Sequence, residues 1–439
     1  MIRLIDLRGS DWDASQVIPR AGQTPDDVFE QVVSIVDDVA ERGADAVQDW
    51  TERLDGTVPK SLRVPDEVLE AAWNELSSSV RSALETAAQR VRAVHERQRP
   101  EEMVVEVVPG GTIGQRWIPV NRVGLYVPGG RAVYPSSVIM NVIPAQVAGV
   151  GSLAVVSPPQ ADQHGWPHPV ILATCRMLGV TEVYAVGGAQ AVALLAYGAS
   201  LPSGTCEPVD LITGPGNVWV TAAKRAVRGR VGIDSEAGPT EVMVVADDSA
   251  DAHIVAADLV SQAEHDPLAA AVLVTDSERL AKAVGHALVT QVAATKHAER
   301  IAAALTGEQS AVVLVDNVDA AVEIANSYGA EHLEIQTQAA DQVAARITNA
   351  GAIFIGSESP VSLGDYAAGS NHVLPTSGMS AHSSGLGVHT FLRSVQTINY
   401  SREALAGIAD AVQILADAED LPAHGAAISA RFNASDGTD

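Results

Sequence analysis

Four short segments of this sequence carry side chains able to bind a metal ion or move a proton. In Ser261-Gln-Ala-Glu-His265, which closes a helical run, Gln262 and His265 lie three residues apart on one helix face. Imidazole is a good zinc ligand and a carboxamide a rare one. On spacing alone, therefore, the segment reads as a polar helix end with a solvated histidine, and zinc ligation is the alternative. No His-Glu-x-x-His motif is present, which removes the common zinc-peptidase reading. Glu331 and His332, in Tyr328-Gly-Ala-Glu-His-Leu-Glu-Ile, open a strand-like run. An adjacent Glu and His at that place serve either as general bases for two different protons or as a loop ion pair. Asp365 follows Gly364 in Ser362-Leu-Gly-Asp-Tyr-Ala-Ala-Gly-Ser-Asn-His372, and the glycine lets a carboxylate reach a metal without steric conflict. Glu419 and His424 stand five residues apart near the C-terminus, where a solvated tail histidine is the plainer alternative.

A second group of segments concerns anions. The dinucleotide fingerprint Gly-x-Gly-x-x-Gly is missing. In its place are Tyr126-Val-Pro-Gly-Gly130, Gly187-Gly-Ala-Gln190 and Gly214-Pro-Gly-Asn217, each between a strand-like and a helix-like run. Backbone N–H groups and a helix N-terminus can meet a phosphate at such turns, although each alone is also ordinary turn chemistry. Three within one half-chain favour a dinucleotide site. Neither cysteine suits a nucleophile: Cys175 lies in an apolar helix, and Cys206 is beside Glu207, which raises its pKa.

The elements that must position these residues follow from periodicity. Thr24-Pro25 reads as a cap with proline in the first turn, followed by Val28, Phe29, Val32, Val33, Val36 and Val39 at helical spacing. A second helix is predicted from Pro65 to about His95. Beyond residue 103, short β-branched runs alternate with Ala-rich helical stretches, which predicts parallel sheets covered by helices. The runs are Leu153–Val156, Glu182–Val186, Asp210–Thr213, Glu241–Ala246, Ala271–Thr275, Ala311–Val315, Glu334–Gln336 and Ala352–Ile355. They fall into two groups about Gly238-Pro239, so two similar α/β domains are expected. Residues 356–392 form a Gly/Ser/His-rich segment of little periodicity, a length of loop that is usually functional. Helical spacing returns after Ser401. Of the remaining histidines, His95, His164, His168, His253, His286 and His297 read as exposed.

Composition bounds the function. The 439 residues carry 28 Lys+Arg against 54 Asp+Glu, a net charge of −26 that would repel nucleic acid and anionic membranes. At 47% hydrophobic residues the chain is nonetheless a folding one. No signal-peptide core or uninterrupted apolar span is present, since Asn141, Pro144 and Gln146 break the longest run, so a cytoplasmic location is expected.

Taken in order, these motifs, with Ala237-Gly-Pro-Thr-Glu-Val242, resemble those of the histidinol dehydrogenase family along the whole chain. The resemblance implies an α/β fold of two similar Rossmann-like parallel-sheet domains with helical N- and C-terminal regions, in an intertwined homodimer with shared active sites. It sets a helical region at 1–102, a first α/β domain at 103–126 plus 241–380, a second at 127–240, and a helical tail at 381–439 reaching the partner. It implies oxidation of L-histidinol to L-histidine through the aldehyde, with NAD and one zinc ion per subunit. Gln262, His265, Asp365 and His424 match the family's zinc ligands, and Glu331 and His332 its acid–base pair. Thr240, Gln262, His265, His332, Asp365, Glu419 and His424 match its substrate contacts, and Tyr126, Gln190 and Asn217 its NAD contacts. The family usually has Ser where this chain has Thr240. The competing expectations are another NAD-linked alcohol or aldehyde dehydrogenase, the latter needing a cysteine, and a zinc hydrolase needing no NAD.

Overall fold

The β-branched runs become strands of two parallel sheets in the computed structural model, which describes residues 2–20, 24–57, 59–129 and 133–433. Gly130 of the first glycine-rich turn lies outside the described residues. The chain divides into two compact units, Met1–Arg99 with Val120–Phe391, and Pro100–Pro119 with Leu392–Asp439.

In the first unit a six-stranded sheet runs in the order Arg3–Asp6, Ala311–Leu314, Ala270–Thr275, Glu241–Ala246, His332–Gln336, Ala352–Ile355, every neighbour parallel. The strand Glu241–Ala246 is buried throughout because both its faces are covered. Val242, Val244 and Ala246 pack with Val255, Leu259 and Leu280, while Met243 and Val245 pack with Ile324, Ala325 and Tyr328. That two-sided burial explains why these strands read as unbroken apolar runs.

A five-stranded parallel sheet orders Gly232–Ile233, Leu211–Thr213, Arg122–Tyr126, Ser152–Ser157 and Val183–Ala185. The N-terminal helix Phe29–Arg42 packs on the flanking helices Gly188–Tyr197 and Val218–Val227, burying Val32, Ile35, Val36 and Val39 in the same cluster as Val156 and Val186. The helix Pro135–Ala148 is buried nearly all round, including Asn141 and Pro144. Proline has no N–H for the Met140 carbonyl four residues back. Asn371 Nδ2 donates to that carbonyl instead, at 2.7 Å.

The second unit holds an antiparallel sheet in which Gly111–Pro119 lies between Met103–Val108 and Leu392–Tyr400. Its helices are Arg402–Ala418, capped by Ser401 Oγ accepting from Ala404 N, and Pro422–Asn433. Large apolar side chains are exposed on it, among them Val104, Ile398, Ile414 and Leu415. Among the described residues, no helix is long and apolar enough to cross a membrane.

Several placements differ from the sequence expectation. Arg3–Asp6, placed in the helical N-terminal region, is an edge strand, where Arg3 and Asp6 at its two ends reach water. Arg122–Tyr126 lies inside the five-stranded sheet rather than with the strands after residue 240. The stretch 103–119 pairs with Leu392–Tyr400, a partner far away in sequence that periodicity cannot show. The helix expected over 65–95 is two, Asp66–Glu75 and Ser78–Glu96, because the backbone turns extended at Leu76 and Ser77, and the Ser77 hydroxyl then caps the second helix by accepting from Val80 N. Within 356–392 the chain forms a helix, Val361–Tyr366, and two short 3-10 turns. His95, read as exposed, is fully buried: it continues the stripe Leu84, Ala87, Val91.

Candidate active site

Strand starts and helix ends bring the first three segments together. Thr240 precedes the strand Glu241–Ala246, and Glu331 precedes the neighbouring strand, which His332 opens opposite Val242. The helix Ala252–Ala263 returns to the same, amino, edge of the sheet and ends with Gln262 and then His265. The short helix Val361–Tyr366 brings Asp365. Gly364 is required beside it, since a Cβ there would meet the Phe354 ring at 2.7 Å.

A directed chain of hydrogen bonds links these groups. Gln262 Nε2 donates to Thr240 Oγ1 at 2.8 Å, and Thr240 Oγ1 donates to Glu331 Oε2 at 2.5 Å. The backbone N–H of Glu241 also donates to Glu331 Oε2, at 2.9 Å. A hydroxyl has one proton, and Thr240 directs it to the carboxyl, so it must accept from the Gln262 amide. That orients the amide: its nitrogen faces Thr240, and its oxygen is buried with no partner. His332 is fixed in the same way. Its Nδ1 donates to the Glu241 carbonyl at 3.0 Å, which leaves a lone pair on Nε2, buried and unpartnered. Asp365 lies between two imidazoles, with Oδ2 3.9 Å from His265 Nε2 and Oδ1 3.9 Å from His332 Nε2. These distances are too long for hydrogen bonds.

Burial sets the protonation states. It pushes the Glu331 carboxyl from 4.5 up to about 8, against the hydrogen bonds from Thr240 and Glu241. It also lowers the pKa of His332 and of His265, keeping both rings neutral with a lone pair available.

A neutral His265, the carboxylate of Asp365 and the orphaned oxygen of Gln262 form a donor set that suits zinc. Among the described residues, no three His, Cys, Asp or Glu side chains already converge as a metal cluster. Gln262 stands outside that residue class. His424, exposed on Pro422–Asn433, and Glu419, exposed at the end of Arg402–Ala418, belong to the second unit.

The anion-binding candidates occupy the carboxyl edge of the five-stranded sheet. Tyr126 ends its strand, and its buried hydroxyl accepts from Gly188 N at 3.1 Å. Gln190 is buried on the helix Gly188–Tyr197; its Nε2 donates to Asp55 Oδ2 at 3.3 Å, and its Oε1 has no partner. Asn217 is exposed and caps the helix Val218–Val227, accepting from Trp219 N and Val220 N. Gly214, at φ +117, approaches Tyr126 so closely that a Cβ would lie 2.1 Å from its carbonyl oxygen.

Some participants carried no sequence role. His372 donates through Nδ1 to the Asp365 carbonyl at 3.1 Å, and its Nε2 lies 3.3 Å from Ser137 Oγ. Tyr134 stacks on His265, with ring centroids 6.5 Å apart. Only the Gly-Asp…Asn-His spacing pointed toward His372; nothing local marked Tyr134. Both cysteines are buried, and burial pushes Cys175 up to about 12.

Parallel sheets with helices on their faces, and a desolvated Glu–His pair beside a metal-type donor set, define an α/β enzyme of proton-transfer chemistry. Comparison narrows that class. The family model for histidinol dehydrogenase matches residues 18–432. Histidinol dehydrogenase of Thermobifida fusca (strain YX) is 58% identical over 432 residues, 98% of each chain. That of Mycobacterium tuberculosis (strain H37Rv) is 59% identical over 432 residues, 98% of this chain and 97% of its own. The crystal structure of histidinol dehydrogenase from Elizabethkingia anophelis matches with a TM-score of 0.92 at 30% identity, covering 98% of both chains. The chain belongs to the histidinol dehydrogenase family, and it is an oxidoreductase.

Proposed function

We propose that this enzyme oxidises L-histidinol to L-histidine through L-histidinaldehyde, the last step of histidine biosynthesis, with NAD and one zinc ion per subunit. The observation that carries the reading is the buried relay Gln262–Thr240–Glu331 beside the unpartnered Nε2 of His332.

Gln262, His265 and Asp365, with His424, would hold the zinc; NAD would be held by Tyr126, Gln190 and Asn217. When bound, zinc would hold and orient the substrate, and NAD would accept hydride. The remaining work belongs to the side chains. His332 Nε2, its lone pair aimed by the bond from Nδ1 to Glu241, takes the hydroxyl proton in the first oxidation. The aldehyde stays bound through the substrate contacts Thr240, Gln262, His265, His332, Asp365, Glu419 and His424. Glu331, once ionised, takes a proton from the water that hydrates the aldehyde, and the hydrate is the species oxidised second. This route needs no thiol, which agrees with the burial of Cys175 and Cys206.

The carboxyl edge supports the NAD assignment. There the chain runs outward through Arg122–Tyr126, Ser152–Ser157 and Val183–Ala185, then crosses back to Leu211–Thr213, and Tyr126 and Gly214 face each other at that reversal. We read the two parallel sheets as a pair of Rossmann-like domains. We further infer a cytoplasmic homodimer in which the C-terminal tail reaches the partner's site. The exposed Val104, Ile398, Ile414 and Leu415 favour that assembly.

The test is stoichiometry: zinc-loaded protein with limiting L-histidinol and excess NAD. About two NADH per histidinol, lost on chelation and restored by zinc, is expected of a two-step oxidation. One NADH, or none, would defeat the reading.

A further inference from the structure

Beneath the site lies a second polar cluster that the proposed chemistry does not use. Asp258, Glu334 and Gln336 are buried, with Glu334 only 1% exposed. Gln336 Nε2 donates to Asp258 Oδ2 at 2.8 Å and to Glu334 Oε2 at 2.8 Å. The other oxygen of Glu334 accepts from Val361 N at 3.1 Å, the first N–H of the helix Val361–Tyr366.

Three elements meet here, and each carries part of the active site. Asp258 is one helical turn before Gln262 on Ala252–Ala263, so the two share a face. Glu334 and Gln336 follow His332 at alternate positions of one strand, on its side opposite Leu333 and Ile335. Val361 begins the helix that ends with Asp365 and Tyr366. Thr240 lies two residues before Val242, the residue opposite His332, so Asp258, about 6 Å along the helix from Gln262, comes up to the level of His332, and the long Gln336 amide spans the rest of the way to Asp258 Oδ2. A slip of the helix by one turn would break both sets of contacts together.

We propose that Asp258, Glu334 and Gln336 are positioning residues, a buried clasp that sets Gln262, His332 and Asp365 relative to one another. The clasp holds without burying two full charges. Burial and the neighbouring Asp258 push Glu334 up to about 8, and burial also raises Asp258, so the pair favours holding a proton near neutral pH.

This inference rests on the zinc and histidinol reading, and its test separates the two. Zinc affinity of the full-length protein is measured by competition with a fluorescent chelator, alongside kcat, KM and the melting temperature of the metal-free protein. Glu334→Leu fills the space but cannot accept from Val361 or bond to Asp258. It should keep the fold and weaken zinc about 10–100-fold, as loss of a group supporting a metal ligand does. Glu334→Gln still offers an oxygen to Val361 N and an N–H to Asp258 but sets its NH2 against the Gln336 Nε2 that Glu334 accepts from, and should fall between wild type and the leucine protein. Gln336→Met, which lacks the bridging N–H, provides a second loss variant if the leucine protein does not fold. Leucine and methionine proteins that bind zinc within twofold of wild type, with unchanged kcat and KM, would overturn the clasp. A wild-type protein that takes up no zinc would instead overturn the zinc reading, and the clasp would then be judged on kcat and KM.

Discussion

Replacing Glu331 by Gln should make the protein more stable at alkaline pH and less active. The carboxyl sits at about 8 in the folded protein against an ordinary 4.5, chiefly because burial disfavours its charge. Between those values the folded chain keeps a proton that the unfolded chain releases. The resulting stability is complete below about pH 4.5 and is lost as pH rises through about 8. A shift of that size corresponds to about 5 kcal/mol at most, at 1.36 kcal/mol per unit. In Glu331→Gln the amide oxygen can still accept from Thr240 Oγ1 and Glu241 N, and nothing ionises. Urea midpoints of metal-free protein, from pH 5 to 9, should therefore fall less steeply for the variant. Glu334, His332 and His265 titrate in both proteins and largely cancel in the difference. Activity should divide: oxidation of histidinol to the aldehyde largely survives, while oxidation of supplied histidinaldehyde drops by about 10²–10⁴-fold, the usual worth of a general base. Parallel stability curves would refute the protonated, buried carboxyl. Equal losses in both half-reactions would refute its assignment to the hydration step.

Three further outcomes are expected. Thr240→Val removes the hydroxyl that orients the Gln262 amide; it should cost about 1–3 kcal/mol in urea unfolding and weaken zinc about tenfold, with Thr240→Ser restoring both. Gly214→Ala puts a Cβ against the Tyr126 carbonyl at φ +117 and should cost more than about 3 kcal/mol, with NAD affinity falling in calorimetry of whatever folds. The double variant Cys175→Ala, Cys206→Ala should keep full turnover despite some loss of stability; loss of activity in folded protein would revive a thiol mechanism.

Legibility from sequence tracked how local the determining physics was. The strand Glu241–Ala246 coincides with its β-branched run, because an apolar run and two-sided burial are the same fact seen twice, and Ala352–Ile355 coincides with its run although it is a half-exposed edge strand. Gln262 and His265 were visible as a pair, yet spacing alone could not separate ligation from a solvated helix end. What separates them is the Thr240 hydroxyl twenty-two residues away, which leaves the Gln262 oxygen free. The partnership of Glu334 with Asp258 was illegible for the same reason. In sequence Glu334 is a charged residue in a strand, and only the packing of a helix across it reveals the Gln336 bridge to Asp258. The long segment 356–392 looked structureless because its order comes from Asn371 on Met140 and His372 on Asp365, contacts with no period.

The two sheets present opposite edges, and the local electrostatics explains why. At the carboxyl edge of the five-stranded sheet, helices begin: the positive dipole ends of Gly188–Tyr197 and Val218–Val227 lie there, a setting that favours an anion even though Gly188 N, Trp219 N and Val220 N already bond to Tyr126 and Asn217. That is where a dinucleotide phosphate gains most, in a chain whose net charge of −26 opposes it everywhere else. The Glu331–His332 site lies instead at the amino edge of the six-stranded sheet, away from the usual ligand position of such folds. There the helix Ala252–Ala263 ends, and the negative end of its dipole favours a cation beside Gln262 and His265. One chain thus offers an anion-favouring edge and a cation-favouring edge, and the cations nearest them are already paired: Lys224, which donates to the Gly214 carbonyl at 3.1 Å, with Asp234, and Arg20 with Glu241. The same geometry suits the composition of the amino-edge site: a cation there would be met by a neutral imidazole, a carboxyl and an amide oxygen, and burial favours the uncharged forms of Glu331 and His332.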